Sequence, residues 1–439
     1  MIDSLKEILR TIVGGAGREA RDSLVEIANA MVEAGGYEAL FEVGLAIEEA
    51  GAWEVMVSQT PLHFGGKQNY YVGRIKTFWE AFGEEGTIRA RDFDTPQIHI
   101  PPMTPGHGRM SLQEPPLWHK ATNLTVMFFI NESNDTTLTY FHNSYDLLLY
   151  DTSWVKACPV DALHPYASSD QRFAVLGVSN SVPIFLDPVV VAPTRNNFGH
   201  FLHECLPYFL GLASTPEVRG LPVICHRLSQ WQRNILEYFD VDTSAIHVID
   251  TGPEGYSRNI RFQEAIVPAL LSYPHAVECI RGRLRRKGFP GNVRKRRFFL
   301  IRRPAQFSHQ RLLNQDEVAD MLSTMGFEIV VPEDFSFADQ VKMFSETSII
   351  IGIHGASLQS MAFAPEGATL VDILSDHWNQ IGDNFNGSIR RAATCQGQMY
   401  YRVVCPAKRD VPVLYGMDYP FTCDVERLRR LVAWIDESL

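Results

Sequence analysis

Apolar positions follow two rhythms along the chain. Near the start they recur every three or four residues, at Leu5, Ile8, Leu9 and Ile12 and again at Leu24, Ile27, Ala28 and Met31. That spacing lines one face of a helix, and the glycine pairs Gly14-Gly15 and Gly35-Gly36 are stops. The pattern predicts a helical N-terminal extension over residues 1–95, with helices to about residue 85. Residues 96–119 are dense in proline and glycine and read as a linker or a loop wrapped on the surface.

From about residue 120 the rhythm changes to short apolar runs of strand type, Thr125–Ile130, Phe173–Leu176 and Ile184–Val191. A helix over Asn197–Ala213 follows, then strand Leu221–Cys225, helix Ser229–Phe239 and strand Ile246–Ile249. Beyond a basic stretch the alternation resumes with strand Phe298–Ile301. A helix then opens at Asn314, read as its N-cap, with Asp316 and Glu317 in the first turn and Gly326 at its end. Strand Phe327–Val331, a helix begun by Ser336 and Asp339, strand Ser348–Ile353, a Gly-Ala-Ser turn with a short helix, and strand Thr369–Leu374 come next. The last element is an amphipathic helix, Val425–Ile435. Alternating strands and helices imply parallel sheets covered by helices. The expected fold class is α/β, with two Rossmann-like domains, residues 120–285 and 286–439, facing a cleft behind the helical extension. Open sheets of this kind bind ligands at the carboxyl ends of their strands.

Composition narrows the function classes. With 45% hydrophobic and 21% charged residues the chain can build a large core, so a disordered or fibrous role is excluded. A net charge of -11 excludes a general nucleic-acid binder. The basic run Arg281–Arg303 stands against that surplus; it reads either as an attractor for an anionic donor, a lipid phosphate or a membrane surface, or as a solvated helix end. Seven cysteines without a Cys-x-x-Cys pair argue against a zinc ribbon or a thioredoxin site. Neither a signal peptide nor a membrane span is read, so the expected compartment is the cytoplasm.

Candidate chemistry sits at strand and helix ends. Ile349–Ser357 is a buried strand running into a small-residue turn: His354 at the strand end, then Gly355, Ala356 and Ser357 at a helix N-terminus whose amides suit a phosphate. Arg302 and Arg303 end the first strand of the same unit, with Arg311 and Asn314 close behind; alternation points only one of the two adjacent arginines at a ligand. Asp372, in an apolar strand, needs a partner, either a ribose hydroxyl pair or an internal hydrogen bond. In the first unit Asn197, His200, His203 and Glu204 open one helix. His200, His203 and Glu204 share a face and form an acid/base candidate. The order His-x-x-His-Glu differs from the zinc-protease pattern His-Glu-x-x-His, and a metal-dependent hydrolase is kept as an alternative. The triplets Asp92-Phe-Asp94 and Asp240-Val-Asp242 read as surface carboxylates, so no metal ligands are assigned.

Taken in order, Asn197-x-x-His-Phe-Leu-x-Glu204, the Arg302–Asn314 segment, Gly326-Phe to Gln340, Ile-Gly-Ile-His-Gly-Ala356, Pro365-Glu-Gly and Val371-Asp-Ile resemble glycosyltransferase family 61 over about residues 185–375. The resemblance implies a GT-B type fold and inverting transfer from a nucleotide sugar, with a UDP-sugar as the expected co-substrate and no metal or other cofactor required. It implies a base at Glu204 or His200 and acceptor-side contacts at Asn197 and His203. The donor would be held by Arg302, Arg303, Arg311, Asn314, His354, Gly355, Ala356, Ser357 and Asp372. Many members carry glutamate where this chain has Asp372. Lacking the anchor of animal and plant members, the chain looks like a bacterial member acting in surface polysaccharide synthesis on a saccharide or lipid-linked acceptor, at the inner face of the membrane. A non-catalytic sugar-nucleotide binder is the other alternative.

Overall fold

The computed structural model describes residues 2–13, 39–52, 69–77, 87–89, 117–130, 136–142, 146–149, 166–167, 173–178, 184–249, 257–268, 273–289, 296–302, 311–377, 389–390, 392–410 and 419–438, with residues 23–24, 26–27 and 30–31. The strands β1 (Asn69–Thr77), β2 (Thr87–Arg89), β3 (Leu117–Ile130), β4 (Thr136–His142), β5 (Asp146–Leu149), β6 (Tyr166–Ala167), β7 (Phe173–Val178), β8 (Ile184–Phe185), β9 (Val189–Ala192), β10 (Val223–Cys225), β11 (Ile246–Val248) and β12 (Ser257–Pro268) build one mixed sheet. Strands β13 (Arg296–Leu300), β14 (Glu328–Val330), β15 (Thr347–Ile353), β16 (Thr369–Ser375) and β17 (Met399–Cys405) build a second, wholly parallel one.

The second sheet has the order β14-β13-β15-β16-β17. Renumbered within the unit this is 2-1-3-4-5, a doubly wound order whose direction of winding reverses between β13 and β15. β15 and β16 are buried along almost their whole length, which is why they read as unbroken apolar runs. In the first sheet β9, β10, β11 and β12 lie in the order β11-β10-β9-β12, all parallel, which is 3-2-1-4 within the unit. The reversal there falls beside β9.

Two sequence expectations need correction. The N-terminal extension contains helices Ile2–Val13 and Ala39–Glu49, but Asn69–Thr77 is a strand, paired with β5 and β7. Its Tyr70, Tyr71, Val72 and Ile75 are aromatic or β-branched, a strand-favouring composition that the helical reading overlooked. The first unit is also not wholly alternating: the long β12 runs antiparallel to β3, and β4 antiparallel to β3, so a meander is grafted onto the parallel strands. The linker 96–119 lies outside the described residues up to Leu117, where β3 begins.

One continuous hydrophobic cluster joins residues of both sheets. It includes Phe201, Leu206 and Phe209 from the first unit and Phe298, Phe337, Phe344 and Phe363 from the second. Phe337 packs edge-on against Tyr238, with centroids 5.2 Å apart, and against Phe363 at 5.5 Å. The basic run proves to be part of this junction. From helix Tyr273–Arg286, Arg281 donates to the Ala364 carbonyl at 2.7 Å and Arg283 to the Leu210 carbonyl at 2.6 Å, while Arg285 pairs with Glu278. Further along, Arg296 pairs with Glu328 and Arg297 with Asp436. Arg281, Arg283, Arg296 and Arg297 tie elements together, so a structural reading holds at these positions, whereas the exposed Arg285 pairs within its own helix.

One close junction has no side chain at its centre. Gly199 lies in the first turn of the helix after β9, and a Cβ there would sit 2.9 Å from Gln359 Cγ and 3.3 Å from Ala356 Cα. Both neighbours belong to the 3-10 helix Ala356–Phe363 that follows β15. A Gly199→Ala change therefore forces the two helices apart and outweighs the better helix propensity of alanine. We expect a loss of about 1–2 kcal/mol in denaturant unfolding; an unchanged or raised midpoint would contradict this packing.

Candidate active site

The helix after β9 is built in three pieces: Phe198–His200, a π-helical turn Phe201–Cys205, and Leu206–Leu212. Asn197 opens it, its side-chain oxygen accepting from the amides of Gly199 and His200 at 3.0 and 3.2 Å. The sequence reading gave Asn197 an acceptor-side role; its oxygen is already spent as a helix cap. The π turn holds one extra residue per turn, a feature that often marks functional sites. His200 and Glu204 meet across it, Nδ1 to Oε1 at 2.5 Å, with 30% and 11% of their side chains exposed. His203 points elsewhere. It is fully buried, its Nδ1 bonded to the Gly199 carbonyl at 3.0 Å, and burial pulls it from its ordinary 6.5 to about 4 despite that bond and the nearby Glu204. The expected three-residue acid/base face is thus a His200–Glu204 pair, with His203 a neutral core histidine under the helix. Among the described residues no three His, Cys, Asp or Glu groups come together to ligate a metal. Asp240 and Asp242 lie in an exposed turn, where Asp242 caps Ser244 at 2.9 Å; Asp92 and Asp94 lie outside the described residues.

On the other side stands the switch point of the parallel sheet. Leu300 and Gly352 are register partners, so β13 and β15 end side by side. Two residues beyond Leu300 comes Arg302; two beyond Gly352 comes His354, then Gly355. Gly355 has φ +149°, a conformation L side chains rarely adopt, and the Arg302 guanidinium occupies the place a Cβ would take. Arg311 reaches the same turn, its Nη1 3.4 Å from the His354 carbonyl. Its backbone is fixed by the Phe421 amide, which donates to the Arg311 carbonyl at 2.7 Å. The first helical bond after the turn runs from the Leu358 amide to the Gly355 carbonyl, so the Ala356 and Ser357 amides lie ahead of the ladder. Two guanidinium groups and a helix N-terminus converge on one glycine, which is the electrostatic make-up of an anion site.

Three sequence assignments shift here. Asn314 stands at the N-cap position, but its amide is engaged with the Cys423 backbone in both directions, at 2.9 and 3.0 Å, and with Glu317 at 3.0 Å, which makes it a clamp for the C-terminal segment. Asp372 is fully buried; its Oδ2 accepts from Tyr400 at 2.6 Å and pairs with His354 Nδ1 at 2.8 Å, which favours the internal alternative over a ribose contact. Arg303 lies outside the described residues. Sequence reasoning missed Gly199, Gln359, Tyr400 and Arg402. For the last two a signal existed: Met399–Cys405 after Gly397 is rich in aromatic and β-branched residues and is the strand β17.

The seam described above brings the sides together: a Cβ on Gly199, one residue before His200, would lie 3.3 Å from the Cα of Ala356, one residue after Gly355. The His200–Glu204 pair and the Gly355 turn thus flank the same helix junction.

Two consequences can be measured. Gly355→Ala must displace Arg302 and strain the turn, so anion affinity should fall roughly 10-fold or more in titrations with a nucleoside diphosphate; unchanged affinity would remove the turn from the site. His203 and the buried His119 are both held neutral, at about 4, while the unfolded chain binds protons near 6.5. Their contribution to stability is complete above that unfolded value and is lost as pH falls through the window from 6.5 to about 4. The unfolding midpoint should drop across that window, and His203→Asn should flatten the slope.

Comparison with known proteins now adds to the geometry. Residues 198–371 match the family model described as Glycosyltransferase 61. The chain is 34% identical over 70 residues to an EGF domain-specific O-linked N-acetylglucosamine transferase of Mus musculus, a stretch covering 15% of this chain and 13% of that protein. It is 34% identical over 65 residues to the alpha-1,3-arabinosyltransferase XAT3 of Oryza sativa subsp. japonica, covering 14% of this chain and 11% of that one. The chain therefore spans a small part of the length of the relatives it matches. The match over residues 198–371 makes the segment that holds His200, Glu204, Arg302, Arg311 and Gly355 similar to glycosyltransferase family 61.

Proposed function

We propose that the protein is a glycosyltransferase of the GT-B type that moves a sugar, with inversion, from a UDP-sugar to a hydroxyl group of a saccharide or glycoconjugate. One observation carries this reading: the His200–Glu204 pair and the Arg302–Gly355 anion turn meet at the Gly199–Ala356 contact. The names of the relatives support it, because both act by transferring a sugar.

The reaction is a single displacement at the anomeric carbon. His200, the more exposed of the pair, takes the proton of the acceptor hydroxyl, and Glu204 behind it orients the imidazole and stabilises the imidazolium that forms. As the acceptor oxygen bonds to the anomeric carbon, the bond from that carbon to the phosphate oxygen breaks and its electron pair leaves with the nucleoside diphosphate. Negative charge grows on that leaving oxygen. Arg302, Arg311 and the Ala356 and Ser357 amides are already in place to receive it, so little reorganisation is needed in the transition state. No metal or other cofactor has a role in this scheme. We place the activity in surface polysaccharide synthesis on a saccharide or lipid-linked acceptor, at the cytoplasmic face of a membrane with which the protein associates peripherally.

Thermal-shift measurements with UDP-, GDP-, CMP- and dTDP-sugars test the donor. A UDP-sugar at about 100 times its Kd should add roughly 2.7 kcal/mol of stability, and the absence of any shift with all four would sink the reading. In transfer assays His200→Ala should lower kcat roughly 100-fold with donor affinity retained. Near-normal turnover in both His200→Ala and Glu204→Gln would remove the pair from the chemistry.

A further inference from the structure

Behind the anion turn lies a line of side chains that the scheme above does not use. Asp372 on β16 is completely buried and takes two hydrogen bonds on the same oxygen, one from the Tyr400 hydroxyl and one from His354 Nδ1. Tyr400 sits on the neighbouring strand β17, and two residues on, Arg402 is the direct register partner of Asp372. The Arg402 Nε donates to the Tyr400 oxygen at 3.4 Å, and its guanidinium carbon lies 5.8 Å from the centre of the Tyr400 ring. The direction of every bond is fixed by chemistry. Arginine only donates. Burial, and after it the Asp372 charge, push the Tyr400 hydroxyl far above its ordinary range, so it keeps its proton and donates to Asp372. A buried carboxylate is stable only as an acceptor for such donors. His354 must then supply the proton on its own bond to Asp372.

From this geometry we infer that Tyr400 and Asp372 are positioning residues for His354: they hold its proton on Nδ1 and its ring in one orientation, so that His354 acts on the leaving diphosphate through Nε2. The inference rests on the reading of the Gly355 turn as the diphosphate site, and it deepens that reading by assigning a job to two residues on strands below the site. A histidine whose tautomer is set from behind offers a defined atom to its ligand, whereas an unsupported ring divides its population between two tautomers and several orientations. The line Arg402, Tyr400, Asp372, His354 reaches from strand β17 through β16 to the end of β15, so the parallel register itself sets the turn's chemistry.

Imidazole nitrogen NMR on the full-length protein, recorded at about pH 9 where a ring of ordinary proton affinity is neutral, tests the assignment. The His354 signals should show Nδ1 protonated, and addition of UDP should move the Nε2 resonance while leaving Nδ1 in place. Tyr400→Phe removes only the hydroxyl. It should keep the thermal midpoint within a few degrees, lower kcat roughly 10-fold, and leave the donor KM within about threefold. Asp372→Asn should lose the fixed Nδ1–H signature. A His354 protonated on Nε2 in the unaltered protein, or a Tyr400→Phe variant with unaltered kcat and unaltered His354 signals, would overturn the inference. The NMR result stands whatever the donor proves to be, whereas an unaltered protein that transfers sugar from none of the donors counts against the proposed function alone.

Discussion

Close packing at Gly199, where a Cβ would meet Gln359 Cγ and Ala356 Cα, is the constraint on which the site depends. Two helices follow two separate parallel strands, β9 and β15, and each starts at the carboxyl end of its strand. Their first turns come so close that no Cβ fits between them. Because both turns begin beside a reversal in strand order, the contact joins the two places where open sheets have a natural crevice. Asn197 fixes the first turn by capping it, and Gly355 fixes the second by adopting a backbone angle closed to other residues. The side chains that matter for chemistry are placed by those two devices.

Charge then divides along the seam. On one side a histidine and a glutamate lie in direct contact across a π turn, a geometry suited to moving a proton. On the other, two arginines and a pair of amides face a single glycine, a geometry suited to holding an anion. Glycosyl transfer needs both, since a hydroxyl loses a proton while a phosphate gains charge. Within the basic run, Arg281 and Arg283 instead bind the carbonyls of Ala364 and Leu210 and so tie neighbouring elements together.

Much of this was legible in the sequence, and unevenly so. The strand-turn-helix at Ile349–Ser357 was readable because a fully buried strand is written as an apolar run and small residues mark the turn. The helix at Asn197 was legible as a helix, although a π turn leaves no mark in a pattern that assumes 3.6 residues per turn. The partners of Asn197, Asn314 and Asp372 were not legible for one reason: a polar side chain beside a strand end looks the same in sequence whether it faces a ligand or the protein's own backbone. Only the partners, Gly199 and His200 for Asn197, Cys423 for Asn314 and Tyr400 for Asp372, distinguish the two cases, and all but the first pair lie distant in the chain. The antiparallel meander of β3, β4 and β12 was missed because pairing between remote segments leaves no local signal.

The shared hydrophobic cluster has a consequence for how such a molecule can diversify. Proteins made of separable halves exchange them readily, keeping one specificity while replacing the other. Here Phe201 and Phe209 of one unit and Phe337 and Phe363 of the other belong to the same core, and the closest point between the units is set by the absence of a side chain. A half taken from a distant relative would have to match both an interior and a glycine-width contact. Changes at the loops and strand ends around the seam, by contrast, would leave that shared interior undisturbed.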